Sequence, residues 1–117
     1  MKRILLVDND SSFLNILQMY LSACRHVVDI ARDGQVALTK LGQNSFDAVL
    51  ISFNLPDVNG VEVLRRVRQD QPSLPIIMMA STPLVEPTVE ELAALGAEVC
   101  LCKPFPPQDL EQILRFV

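Results

Sequence analysis

Tryptophan is absent from this 117-residue chain, aromatic residues make up only 5% of it, and there is one histidine, His26. Hydrophobic residues still account for half of the sequence, so the core must be built from Val, Ile, Leu, Ala and Met. No apolar run approaches the ~18 residues a membrane-spanning helix needs. The run after Met1-Lys2-Arg3, Ile4 to Val7, is too short for a secretory signal. Basic charge is scarce: 10 Lys and Arg face 14 Asp and Glu, a net charge of −4. That argues against nucleic-acid binding by the domain itself, because counterion release requires clustered cations. The one basic group, Arg65, Arg66 and Arg68, reads as a solvated helix face. Cysteines are few and odd in number: Cys24, Cys100 and Cys102. They lack the spacing of a disulfide framework, which points to a reducing, cytoplasmic setting. Cys100 and Cys102 fall on one face of a strand, too far apart to bridge comfortably, and read as small buried residues. Repeats, low-complexity tracts and linkers are also missing. The length suffices for one domain, residues 1–117, with a real core; it is either a complete protein or an excised module.

What is present is an alternation of short apolar runs and helical patterns. Ile4-Leu5-Leu6-Val7 stops at Asp8, as a strand buried on both faces would. Asp10 or Ser11 caps a helix with an apolar stripe of Phe13, Leu17, Tyr20, Leu21 and Cys24. Val27 to Ala31 is a second strand, and Asp33-Gly34 opens a helix that turns Val36, Ala37, Leu38 and Leu41 inward. Ala48 to Ile51 is a third strand. Asn59 with Glu62 forms a capping box for a helix bearing Val61, Leu64 and Val67. Ile76 to Ala80 is a fourth strand, followed by a stiff loop from Ser81 to Pro87 with Pro83 inside it. Thr88 with Glu91 opens a short helix ending at Gly96. Glu98 to Cys102 is a fifth strand, and Pro106-Pro107 start a last helix bearing Leu110, Ile113, Leu114 and Val117. Five such units with short connections imply right-handed crossovers: an α/β fold, a five-stranded parallel sheet with helices on both faces. Ligand chemistry in such folds sits at the carboxyl ends of the strands. There the chain places Asp8, Asn9 and Asp10, then Ser52, Phe53 and Asn54, then Ala80 and Ser81, and Lys103 before Pro104.

Three stretches, Ile4-Leu5-Leu6-Val7-Asp8, Asn54-Leu55-Pro56-Asp57-Val58-Asn59-Gly60 and Lys103-Pro104-Phe105, make the whole chain resemble the receiver domain of two-component response regulators, a (βα)5 flavodoxin-like fold. The resemblance implies an acidic pair that holds Mg²⁺, an aspartate ending the third strand that takes a phosphoryl group from a histidine kinase, a Thr or Ser that follows that group, an aromatic switch in the fifth strand, and a lysine that contacts the phosphoryl oxygens. Carried onto this chain, Asp8 keeps the first acidic position and Asn9 occupies the second. Ser52 stands at the acceptor position. Asn54 falls where the family offers a backbone carbonyl to the metal. Ala80 takes the Thr/Ser position, with Ser81 one residue late. Cys100 takes the switch position, and Lys103 is retained.

These departures agree with one another. Mg²⁺ favours one or two carboxylates with its waters, whereas Asp8 and Lys103 nearly cancel; the expected cofactor content is none, with Mg²⁺ weak or absent. A serine hydroxyl without an adjacent base is a weak nucleophile. Asp8 with Lys103 reads either as a structural ion pair or as a ligand-recognition element. Ser52 reads as a small hydrogen-bonding filler. His26 falls at the far end of the sheet from Ser52 and reads as structural. The expectation is therefore a non-enzymatic, pseudo-receiver signalling module acting by phosphorylation-independent protein contact. Its expected partners are a histidine kinase or an output domain of the same chain, with no membrane contact. The expected surface runs over the fourth helix, fifth strand and fifth helix, through Val89, Leu92, Leu95 and Leu101, and is also open to homodimerisation. Two alternatives stand beside it. One is phosphotransfer to a displaced acceptor, Asp8 or Asp10. The other is small-molecule or anion binding at Asn9-Asp10-Ser11-Ser12, a helix N-terminus weakened by two acids and the lack of glycine.

Overall fold

The computed structural model describes residues 1–80 and 89–117, the side chain of Val89 excepted. Strands β1 (Arg3–Val7), β2 (Val27–Ala31), β3 (Ala48–Ser52), β4 (Ile76–Ala80) and β5 (Val99–Cys102) alternate with helices α1 (Ser11–Ala23), α2 (Gly34–Gln43), α3 (Gly60–Asp70), α4 (Val89–Ala94) and α5 (Pro107–Leu114). The sheet is wholly parallel in the order β2-β1-β3-β4-β5. Chain direction through the sheet reverses at β1, so the crevice of this architecture opens beside the carboxyl ends of β1 and β3.

Strand side chains alternate between two cores. Leu5, Val7, Val49, Ile51, Ile76 and Met78 pack with Ala37, Leu41, Val63, Leu64, Val67 and Leu92, beneath α2, α3 and α4. Ile4, Leu6, Ala48, Leu50, Ile77 and Met79 pack with Leu14, Leu17, Leu21, Leu110 and Leu114, beneath α1 and α5. All residues of β3 and β4 are buried, which explains why their sequences run continuously apolar instead of alternating. Each fully buried Leu or Ile contributes about 1.5–3 kcal/mol relative to exposure.

Several expectations need correction in detail. The buried stripe of α1 is Leu14, Leu17 and Leu21; Phe13, Tyr20 and Cys24 are only half-buried. The helix thus sits rotated by a fraction of a turn from the stripe read in sequence. Tyr20 lies in the seam between α1 and α5, within electrostatic reach of Glu111 and Arg115, and burial raises its hydroxyl's pKa. Val36, expected inside, is 40% exposed, because Gly34 and Ala37 take the inward positions of α2. In the capping box only the Asn59 half forms: its side chain accepts from the Glu62 N–H at 2.9 Å, while Glu62 pairs with Arg66 Nε at 3.1 Å. The arginine cluster is not uniformly solvated. Arg68 is half-buried and donates to the carbonyls of Gln71, Pro72 and Gly96, stitching α3 to the end of α4. Gly96 is at φ +110°, as a glycine closing a helix should be. Ser81, Pro83, Pro87 and the Thr88 half of the second capping box lie outside the described residues.

Candidate functional site

Period-2 alternation decides which strand-end side chains can meet. Counting outward from β1, β3 and β5, positions 8, 52 and 103 share the parity of Ile4 and Leu6, of Ala48 and Leu50, and of Val99 and Leu101, which face α1 and α5. Ala80 and Cys100 share the opposite parity, and Cys100 packs toward α3 and α4. The ladders reach slightly past the strands and hold these ends still. Asp8 N–H donates to Ala31 O at 3.0 Å, Phe53 N–H to Met79 O at 2.7 Å, and Lys103 N–H to Ala80 O at 2.7 Å.

Asp8 is 1% exposed and Ser52 4%; they are the buried polar residues of the described chain. One Asp8 oxygen pairs with Lys103 Nζ, and the other accepts the Asp10 N–H at 3.1 Å. Lys103 Nζ also lies 4.6 Å from the centre of the Phe13 ring, which meets Phe105 edge-to-face at 5.5 Å and 82°. A cation over an aromatic face is worth about 0.5–2 kcal/mol depending on desolvation. The Lys103–Pro104 peptide is cis. Ser52 Oγ donates to Asn54 O at 3.3 Å, so its proton points at a carbonyl that cannot accept it as a base would. His26 lies at the other end of the sheet, with Nδ1 accepting the Lys2 N–H at 3.0 Å and Nε2 2.9 Å from Glu111.

The loop carrying Ser52 into α3 is fixed by contacts the sequence does not advertise. Gly60 packs so closely on the β3 end that a Cβ there would sit 2.2 Å from the Ser52 carbonyl. Asp57 reaches across to α2, accepting from Gly34 N–H at 2.8 Å and Gln35 N–H at 2.9 Å. The Gly34 hydrogen bond leads in holding the Asp57 carboxyl below its usual pKa. Asp33 takes the Val36 N–H at 2.8 Å, so two carboxylates satisfy the orphan donors of one helix start.

A Mg²⁺ ion does not fit these residues. Asp8 is already committed to an ammonium and an amide. Asp10 accepts the Phe13 N–H at 3.2 Å as the α1 cap, Asn9 is an exposed amide, and Ser52 brings a hydroxyl. Among the described residues no group of three His, Cys, Asp or Glu is placed to hold a metal ion. The position expected to carry an aromatic switch holds Cys100, half-buried, its thiol pushed up first by burial and then by Cys102. That keeps it protonated and weakly nucleophilic at neutral pH.

The expected partner surface is only partly a surface. Leu92 is fully buried beneath α4 and cannot contact a partner. Leu95 and Leu101 are half-buried against the two cores, and the Val89 side chain lies outside the described residues. α4 instead presents Glu90, Glu91, Ala93 and Ala94. Sequence reasoning also missed Phe13 and Phe105 as the cover over Lys103. Phe13 reads as a core residue there, and the signal available was Phe105 following Lys103-Pro104. No described helix is long and apolar enough to cross a membrane.

Comparison with known proteins gives one answer. The model of the response regulator receiver domain matches residues 4–115. The response regulator ArlR of Staphylococcus haemolyticus is 34% identical over 119 residues, covering 100% of this chain and 52% of ArlR. The transcriptional regulatory protein TrcR of Mycobacterium tuberculosis is 34% identical over 113 residues, 97% of this chain and 44% of TrcR. The chain thus spans about half the length of these curated relatives. Among solved structures, the chemotaxis protein CheY4 of Vibrio cholerae superimposes with a TM-score of 0.91 at 31% identity, covering 100% of this chain and 98% of CheY4. A CheY-like receiver domain protein of Methanospirillum hungatei gives a TM-score of 0.92 at 28% identity, over 99% of this chain and 92% of that one.

Proposed function

Because the chain belongs to the response regulator receiver family, the domain class of two-component signalling, we propose that it signals as a pseudo-receiver, by protein contact without aspartyl phosphorylation, without enzymatic activity of its own and without bound Mg²⁺. The observation that carries this reading is Ser52 at the tip of β3, its hydroxyl turned to Asn54 O. A serine there cannot form the acyl phosphate on which the family's relay depends. The Asp8–Lys103 pair supports it, since the lysine that would meet phosphoryl oxygens is already neutralised. The partner, in a cytoplasmic setting, is a histidine kinase or an output domain, docking on the exposed residues of α4 and α5 around half-buried Leu95 and Leu101. The relatives' greater length supports an output segment.

The test is intact-mass spectrometry after incubation with acetyl phosphate and Mg²⁺. The chain is expected to remain unmodified. A base-labile phosphoryl adduct overturns the reading, and one mapped to Asp8 or Asp10 establishes a displaced acceptor. A paired variant, Asn9→Asp with Ser52→Asp, restores the missing carboxylates and is expected to gain a Mg²⁺-dependent adduct that Ser52→Asp alone forms poorly.

A further inference from the structure

Strand β5 forms one edge of the sheet. Cys100 and Cys102 stand two residues apart on it, opposite Met78 and Ala80 of β4. Period-2 alternation therefore puts both on the face where Cys100 packs, the one turned to α3 and α4. Both thiols are free; Cys100 is half-buried, and Cys102, expected inside, is exposed. The Cys100 thiol is pushed up first by burial and then by the charge of Cys102, so the two sulfurs lie within electrostatic reach of each other. A cavity of about 30 Å³ against Leu92, Ala93 and Ala97 leaves the Cys100 side chain room to turn.

We propose that Cys100 and Cys102 form a two-thiolate site for a soft monovalent cation, copper(I). The spacing selects a bridging ion over a disulfide. Cα atoms two apart along a strand stand about 6.6 Å from each other, close to the ~6.8 Å limit beyond which a disulfide is strained. With metal–sulfur bonds of about 2.3 Å, an ion between the sulfurs lets them stay up to about 4.6 Å apart, and the strand keeps its shape. The ligand count selects the ion. Zinc takes four ligands in a closed site, and among the described residues no third His, Cys, Asp or Glu joins this pair. Magnesium and calcium take oxygen ligands. Soft thiolates favour copper(I), a filled-shell ion that is stable with two of them. Binding involves no redox step: two Cu–S bonds form, both S–H bonds break, and both protons pass to solvent. The repulsion between two bare thiolates gives way to attraction toward a shared cation. The site uses none of Asp8, Ser52 and Lys103, so its failure leaves the preceding reading intact.

Anaerobic titration of the 117-residue chain with copper(I), supplied as its bathocuproine disulfonate complex, tests it. The chain is expected to draw one copper from the chelator, and native mass spectrometry should show one copper bound with two protons lost. Cys100→Ser and Cys102→Ser should each abolish the transfer, and Cys24→Ser, at the end of α1, should not. Binding should weaken as pH falls, because protons compete for both thiolates. Cys102 is exposed, so Cys102→Ser should leave circular dichroism and the urea midpoint unchanged, which separates a lost ion from a lost fold. A wild-type chain that draws no copper overturns the proposal. So does transfer that survives either serine variant at β5, that depends on Cys24, that ignores pH, or that seats one copper between two chains.

Discussion

The two ends of the sheet solve the same problem differently. At the amino end, charged and polar side chains close on the backbone and on one another. Arg3 and Asp47 exchange main-chain contacts, Arg3 N–H to Asp47 Oδ2 and Asp47 N–H to Arg3 O, both at 2.7 Å. The Arg3 guanidinium lies 5.0 Å from the Phe46 ring centre, with Asp29 and Asn44 each at 3.3 Å. His26 takes the Lys2 N–H on Nδ1, which places the imidazole proton on Nε2, facing Glu111. At the carboxyl end, where this architecture leaves groups open for a ligand, a carboxylate and an ammonium close on each other beneath two aromatic rings. The first end is held by many small, partly redundant bonds. The second rests on one buried pair, so removing a partner there should cost more.

Lys103→Met should have the largest effect. It strands Asp8, whose side chain is 2% exposed, and breaking such a pair costs about 3–5 kcal/mol. Urea unfolding measures it, and adding Asp8→Asn should recover much of the loss; a cost of Lys103→Met no greater than that of His26→Ala would erase the difference between the two ends. Gly60→Ala, also at the carboxyl end, drives a methyl into the Ser52 carbonyl and should cost about 1–3 kcal/mol. At the amino end, His26→Ala should cost about 1–2 kcal/mol, the scale of one or two hydrogen bonds. The smallest effect is the pH dependence of Asp57. Backbone hydrogen bonds, Gly34 first, depress its folded pKa below the ordinary 3.8. Its contribution is therefore complete above the unfolded value and is lost as pH falls through the folded one. Asp57→Asn should therefore lower the melting temperature most at neutral pH, where that contribution is complete, and least at the acid end, which flattens the thermal-melt profile across that acid window.

Much of this molecule was legible in the sequence, for identifiable reasons. Continuous apolar runs mark strands buried on both faces, so β4 came through with its bounds and β3 to within one residue, while β2, a half-buried edge strand containing Asp29, was bounded by the turn residues around it. Asp8, Ser52 and Lys103 are strand-end residues, and parity alone brings them to one side of the sheet. Legibility fails where tertiary packing chooses among similar faces. Leu14 and not Phe13 enters the core, because Phe13 is drawn to Lys103 and Phe105. Leu92 looks like surface in a short helix and is core, because α4 lies over β5 with little else to bury. Asp57 reads as a turn residue, since nothing local shows that its carboxylate spans 23 positions to reach Gly34.

Tyr20, half-buried between α1 and α5, is the sole tyrosine in a chain without tryptophan. The protein therefore carries one fluorophore absorbing at longer wavelength than its five phenylalanines, seated one helical turn from exposed Ile16. Its emission gives a label-free optical signal for any event that loosens this seam.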